Sequence, residues 1–421
     1  MGADGRGLGE QYDPFGAAHT ADPHAFYDRA RAAEPVFFSP ALEAWVVTRH
    51  EDVLAVLKDH RRFGSAVYRA RAAQHTPEAR AVLATGPIAA PSLVDVDPPE
   101  HTRLRAAVTR ALPAQRIAAL EPRLRRLTGR LIDGFELRGR ADFMDRFARR
   151  LPTMVIGSLL DVPEADFASL QAWSDDRTAL MFGNVAPDAQ PALARSAVEI
   201  QRYILDLAER RRASPGDDLA SELIRAGDAG DAPLSTVEVA ALLRLLFTAG
   251  FETTIKLLGS AILCLLSERE RWCAIVEDAD RIPAVVEEML RLDGPVVSTM
   301  RTTREAVEMG GVAIPEGALV QVLLASGNHD AETFAEPGRY DSERERAGAH
   351  LGFGFGVHFC VGAPLARLEM RVALEELGRR LPSLRLVPGQ RVGYQPSLVL
   401  RGPDRLLVEW DPPGGPLSAR T

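Results

Sequence analysis

The chain has 421 residues, 46% of them hydrophobic, and its 50 basic and 58 acidic side chains leave a net charge of −8. That is enough apolar material for one large core and the wrong sign for a nucleic-acid binder. No run reads as apolar and uninterrupted enough to cross a membrane, and residues 1–10 lack the charged-then-apolar order of a secretion signal, so a soluble, cytoplasmic and monomeric protein is expected.

No Gly/Ser/Pro tract divides the middle of the chain, so a single domain over 22–410 is expected, flanked by loose segments at 1–21 and 411–421. Apolar spacing predicts helices over 25–34, 51–58, 116–137 and 197–212, with an early extended run at 44–48. Between them, Asp97-Pro98-Pro99-Glu100-His101-Thr102-Arg103-Leu104-Arg105 opens a further helix on its prolines and places His101 and Arg105 on one face. Taken alone, that face is a solvated basic one.

The longest helix signal begins at a capping box, Ser235-Thr236-Val237-Glu238, and continues to about Ser267. In its middle stand Ala249, Gly250, Glu252, Thr253 and Thr254. Gly250 weakens the helix and the two hydroxyls compete for backbone carbonyls, so a local kink is expected there. Glu288 and Arg291 follow, three apart on one helix face, which by itself describes a surface ion pair. Extended runs at 311–314, 319–324 and 406–410 complete a fold that is mainly α with small β-sheets.

Near the C-terminal end, Phe353-Gly354-Phe355-Gly356-Val357-His358-Phe359-Cys360-Val361-Gly362 sets one cysteine in a glycine-rich loop just before a helix that Pro364 opens. Three roles suit such a cysteine: a small buried side chain, a nucleophile activated by a nearby base, or a thiolate ligand whose sulfur receives backbone amides. Cys264 and Cys273 lie in helical runs and read as packing residues. The odd count and the lack of a Cys-x-x-Cys pair argue against disulfides and zinc.

Phe353, Gly356, Cys360 and Gly362 fill a pattern that resembles the haem-binding signature of the cytochromes P450, and two distant segments agree with it. Ala249-Gly250-x-Glu252-Thr253-Thr254 resembles the family's oxygen-activation segment, and Glu288-x-x-Arg291 its Glu-x-x-Arg motif. The resemblance implies the P450 fold, with haem b between a long kinked central helix and the cysteine loop. It makes Cys360 the iron ligand, sets Ala249, Gly250, Phe353, Gly354 and Gly362 against the cofactor, and gives its propionates to His101, Arg105, Arg301 and His358. It assigns catalytic proton handling to Glu252 and Thr253, and a buried network beneath the loop to Glu288, Arg291 and Arg339, with Tyr340 where phenylalanine is commoner.

The reaction implied is insertion of one oxygen atom of dioxygen into a small, fairly apolar molecule, by hydroxylation or epoxidation, within secondary metabolism. Use of peroxide, oxidative coupling, and a silent recruitment module are the alternatives. The sequence shows no flavin or nicotinamide fingerprint, so a ferredoxin and its reductase are expected to supply electrons. Arg105, Arg110 and Arg367 are candidates for the docking face. Pocket walls are expected from 68–93, from the regions of Trp173 and Phe182, and from 296–299 and 397–399, with Ile88, Leu246, Val296, Val297, Leu398 and Val399 facing substrate.

Overall fold

The computed structural model describes residues 7–67, 74–230 and 232–412. Helices dominate, and the longest, Thr236–Ser267, runs through the middle of the core. Its capping box forms as read: the Ser235 hydroxyl accepts from the Glu238 amide at 3.2 Å, and the Glu238 carboxylate accepts from the Ser235 amide at 2.8 Å. The helix continues without interruption past Gly250, while the Thr253 and Thr254 hydroxyls bond back to the carbonyls of Ala249 and Gly250 at 2.9 and 3.4 Å. Gly259 is needed for close approach, because a Cβ there would lie 2.7 Å from both Met144 Sδ and Pro403 Cγ.

By length and hydropathy alone this helix could cross a membrane, which corrects the expectation from composition. Yet 61% of its apolar window is buried inside the protein, among residues such as Phe247, Phe251 and Leu258. It is a core helix wrapped by others, chiefly Arg150–Leu159 and Gln190–Ala213, with Phe167–Phe182 above its centre.

Strands gather to one side. The five-stranded sheet has the order Val36–Ser39, Ala44–Val47, Leu319–Val322, Thr299–Thr303, Phe63–Gly64, and only the Ala44–Val47 to Leu319–Val322 pair is parallel. A three-stranded sheet joins Arg140–Asp142, Leu407–Glu409 and Arg385–Leu386, and a hairpin pairs Val307–Met309 with Val312–Ile314. The helix expected over 116–137 is divided into Ala114–Ala118, Glu121–Asp133 and a 3-10 turn, since Pro122 starts a new helix in its first turn. Order also begins earlier than expected: Leu8 and Tyr12 are buried, with Tyr12 packed on Phe26 and Phe37.

Candidate active site

Cys360 owes its position to a turn that only glycine permits. Gly354 and Gly356 have φ of +69° and +71°, and a Cβ on Gly356 would come within 2.5 Å of the Leu57 carbonyl oxygen. The Phe353 carbonyl accepts from the Cys360 amide at 3.0 Å, and the helix Ala363–Arg380 starts three residues after the cysteine. Burial pushes the thiol up from its ordinary pKa; amides of Gly362 and Ala363 and the charges of Arg105 and Arg367 oppose this without overcoming it. A cation at the sulfur would reverse the balance.

The sulfur faces a cavity of about 350 Å³, which also receives His101, Arg105, Arg301 and His358. Among the described residues, no group of three His, Cys, Asp or Glu side chains can hold a bare metal ion. One cysteine sulfur and four basic groups around a large apolar space instead fit a metal carried on a flat ring that bears carboxylates. His101 Nε2 is buried and has no hydrogen-bond partner, as a propionate partner would require. Burial, together with His358 and Arg105, lowers the His101 pKa to about 4, so at neutral pH its ring is uncharged and has one N–H to donate. Arg105 Nη1 donates to the Val357 carbonyl at 3.2 Å, Arg301 Nη1 to that of Met300 at 2.7 Å, and the rings of His101 and His358 meet edge to face at 4.4 Å. The residues therefore fit haem b.

Two supports of this wall were not foreseen from sequence. His358 Nε2 lies 2.8 Å from Ser65 Oγ and 3.5 Å from Asp97 Oδ1. Burial alone would raise the Asp97 carboxyl, but bonds from His358 and Ser65 and the charge of Arg304 hold it well below the usual carboxylate range. The Asp97 in the Asp-Pro-Pro run was the available signal.

Opposite the sulfur, Leu245, Leu246, Ala249, Gly250 and Thr253 line the cavity. Glu252 does not line it. One step round the helix, its carboxylate turns to Phe167–Phe182 and accepts from Thr178 Oγ1 at 2.7 Å, while burial raises its pKa to about 7. Glu369, unnoticed in the sequence, lines the cavity from Ala363–Arg380; its buried Oε2 has no partner and burial raises its pKa to about 8.

Of the expected substrate contacts, Leu246, Val296 and Val399 line the cavity, together with Val67, Leu93, Phe182 and Met300. Val297 and Leu398 do not, because side chains alternate along extended backbone; both face a smaller pocket beside Tyr12 and Tyr27. Ile88 is part of the main core, its amide bonded to Gln201, and Trp173 packs near Tyr203. Residues 68–73 of the expected wall lie outside the described residues. For docking, Arg105 is turned inward to the cavity, Arg110 bonds the Ala226 carbonyl, and Arg367 is tied to Glu287 at 2.6 Å.

Beneath the loop, Glu288 and Arg291 form a bidentate pair at 2.7 and 2.8 Å, both side chains 0% exposed. Arg291 also donates to the carbonyls of Asn328 and Pro337 at 2.9 and 2.8 Å. Asn328 Oδ1 in turn accepts the Leu351 amide at 2.7 Å, which anchors the start of the cysteine loop. The third arginine was misassigned. Arg339 contributes its carbonyl, but its guanidinium is 61% exposed and pairs with Glu336; Arg344, 8% exposed, approaches Glu288 Oε2 at 3.4 Å instead. The tight turn after Pro337 sends the Arg339 side chain outward, and five residues on the chain returns with Arg344.

Comparison with known proteins agrees with this geometry. Residues 187–390 match the family described as Cytochrome P450. The chain is 38% identical over 402 residues to cytochrome P450 107B1 of Saccharopolyspora erythraea, covering 94% of this chain and 96% of that one. It is 37% identical over 378 residues to 6-deoxyerythronolide B hydroxylase of the same organism, with 88% and 91% covered. The structure of cytochrome P450 CREJ in complex with (4-ethylphenyl) dihydrogen phosphate superposes with a TM-score of 0.91 at 33% identity, covering 96% of this chain and all of that one.

Proposed function

Since the chain belongs to the cytochrome P450 family of monooxygenases, we propose that it inserts one atom of dioxygen into a small, fairly apolar molecule of secondary metabolism, by hydroxylation or epoxidation. One observation carries this: a glycine-framed cysteine sulfur faces Thr253 across a single apolar cavity. Haem bound through a thiolate supplies cleavage of the oxygen–oxygen bond and delivery of oxygen to carbon.

The residues divide the remaining work. Cys360 holds the iron, and the Gly362 and Ala363 amides moderate its donor strength. His101, Arg105, Arg301 and His358 bind the propionates, with Asp97 and Ser65 fixing the His358 ring. Ala249 and Gly250 leave room on the distal face, while Leu246, Val296, Met300 and Val399 bury the substrate and exclude water. Thr253 presents a hydroxyl oxygen at that face. Glu252, whose pKa lies near 7, exchanges protons with solvent on the Thr178 side of the same helix turn.

Electrons come from a separate carrier, a ferredoxin served by its reductase, and the enzyme works in the cytoplasm. The cysteine-side surface offers exposed Phe355 and Phe359, with Lys58 over the Phe355 ring at 5.2 Å. The test is turnover of a substrate library by haem-loaded protein under ¹⁸O₂, with ferredoxin, reductase and reduced nicotinamide. A product that gains one labelled oxygen only when all three are present supports the proposal. Turnover with peroxide alone, or with the nicotinamide alone, overturns it.

A further inference from the structure

Behind the cavity wall, a guanidinium lies on the aromatic ring that opens the cysteine loop. Arg367 stands 4.6 Å from the centre of the Phe353 ring, and Glu287 holds it there through a bidentate pair at 2.6 and 2.8 Å. The same carboxylate lies 3.2 Å from His350 Nε2. The Gly352 amide donates to His350 Nδ1 at 3.1 Å, which leaves the proton of the neutral ring on Nε2, facing Glu287. Glu287, on Ile282–Leu292, therefore grips both flanks of Phe353: His350 three residues before it, and Arg367 on Ala363–Arg380, the helix that follows the cysteine. Phe353 in turn lines the cavity beside Cys360, and its carbonyl accepts the Cys360 amide at 3.0 Å.

Two arginines bring charge to the sulfur, Arg105 and Arg367. Arg105 lines the cavity, where a propionate engages it, whereas Arg367 does not line it and is opposed only by Glu287. The step that such a charge influences is transfer of one electron from a reduced carrier to ferric iron, with no bond of the protein made or broken. The electron adds negative charge to the sulfur-bound centre, so a fixed cation nearby favours the reduced form and a fixed anion disfavours it. Arg367 is 39% exposed, and water and Glu287 moderate its effect without abolishing it.

We propose that Arg367, pinned on Phe353, sets the reduction potential of the haem iron from the protein side of the sulfur, with Glu287 as the positioning residue that fixes its place and offsets its charge. This rests on the monooxygenase reading and adds to it the residues that decide how readily the first electron is accepted.

The test is a spectroscopic redox titration of the haem-loaded native protein and its variants, with dithionite as reductant and mediator dyes, at one pH and one low salt concentration, after a carbon monoxide spectrum of each sample. Arg367→Gln should make reduction about threefold or more less favourable, a fall of about 30 mV at roughly 59 mV per tenfold for one electron. Glu287→Gln keeps an oxygen that can accept from Arg367 but removes the opposing charge, so its potential should rise by a similar amount. Arg367→Lys, which keeps the charge, should lie closer to the native value than Arg367→Gln. Opposite signs in the two glutamine variants are the signature of charge, because a loosened loop would move both the same way. Unchanged potentials in both, shifts of the same sign, or a lysine variant indistinguishable from the glutamine one would overturn the proposal. If one glutamine variant holds no haem, the sign of the other's shift decides. A native carbon monoxide band away from the position of thiolate ligation would count against the monooxygenase reading instead.

Discussion

Replacing Arg291 with alanine should destabilise the protein and empty the cysteine loop of its support. The substitution removes two bonds to Glu288 and the donors to the Asn328 and Pro337 carbonyls, all in the interior. Glu288 keeps only Arg344 at 3.4 Å and the Asp341 amide at 2.9 Å. Breaking one side of a buried pair costs about 3–5 kcal/mol, a large share of a folding margin of about 5–15 kcal/mol. With an unfolding entropy of roughly 2.1 cal/mol/K per residue, that loss lowers Tm by about 3–6 °C in a chain of this length. Scanning calorimetry at one fixed rate, with haem absorbance per mole of protein, measures both effects. Arg339→Ala is the control: its exposed pair with Glu336 is worth about 1 kcal/mol or less, so Tm should move by about 1 °C at most. Equal shifts in the two variants, or none in Arg291→Ala, would refute the account of the network.

Cys360→Ser should lose the absorption band of the reduced, carbon monoxide-bound protein that marks thiolate ligation; a band unchanged in position would remove Cys360 as the ligand. Thr253→Ala should keep haem and substrate binding but divert electrons to hydrogen peroxide, measured as peroxide formed per nicotinamide oxidised, and full coupling would take Thr253 out of the mechanism. Glu252 has a folded-state pKa of about 7 against an ordinary 4.5, so between those values the folded protein holds a proton that the unfolded chain has released. Stability from this group therefore falls as pH rises through the window and is flat above it. Tm should fall less steeply from pH 5 to pH 7 in Glu252→Gln than in the native protein, and identical slopes would contradict the burial of this carboxyl.

Much of the site could be read from the chain because its chemistry is written in contiguous residues. A glycine with positive φ, a cysteine and a helix start must follow one another within a few positions, as they do from Gly354 to Pro364. The Ser235 capping box likewise closes within one turn. Contacts made across the fold were less legible. Arg339 and Arg344 are equally plausible arginines in one loop, and only the path of the turn decides which enters the interior. Val296 and Val297 differ solely in which side of an extended segment each faces. Short strands such as Phe63–Gly64 and Thr299–Thr303 pair only through partners far along the chain.

The bonds that run from Arg291 through Asn328 to Leu351 reach the cysteine loop from behind, through residues that do not line the cavity. The Leu351 and Phe353 carbonyls then accept the Gly354 and Cys360 amides. The sulfur is thus positioned from outside the space opposite it, so exchanges at Leu246 or Val296 can reshape the pocket while the turn that holds Cys360 keeps its form.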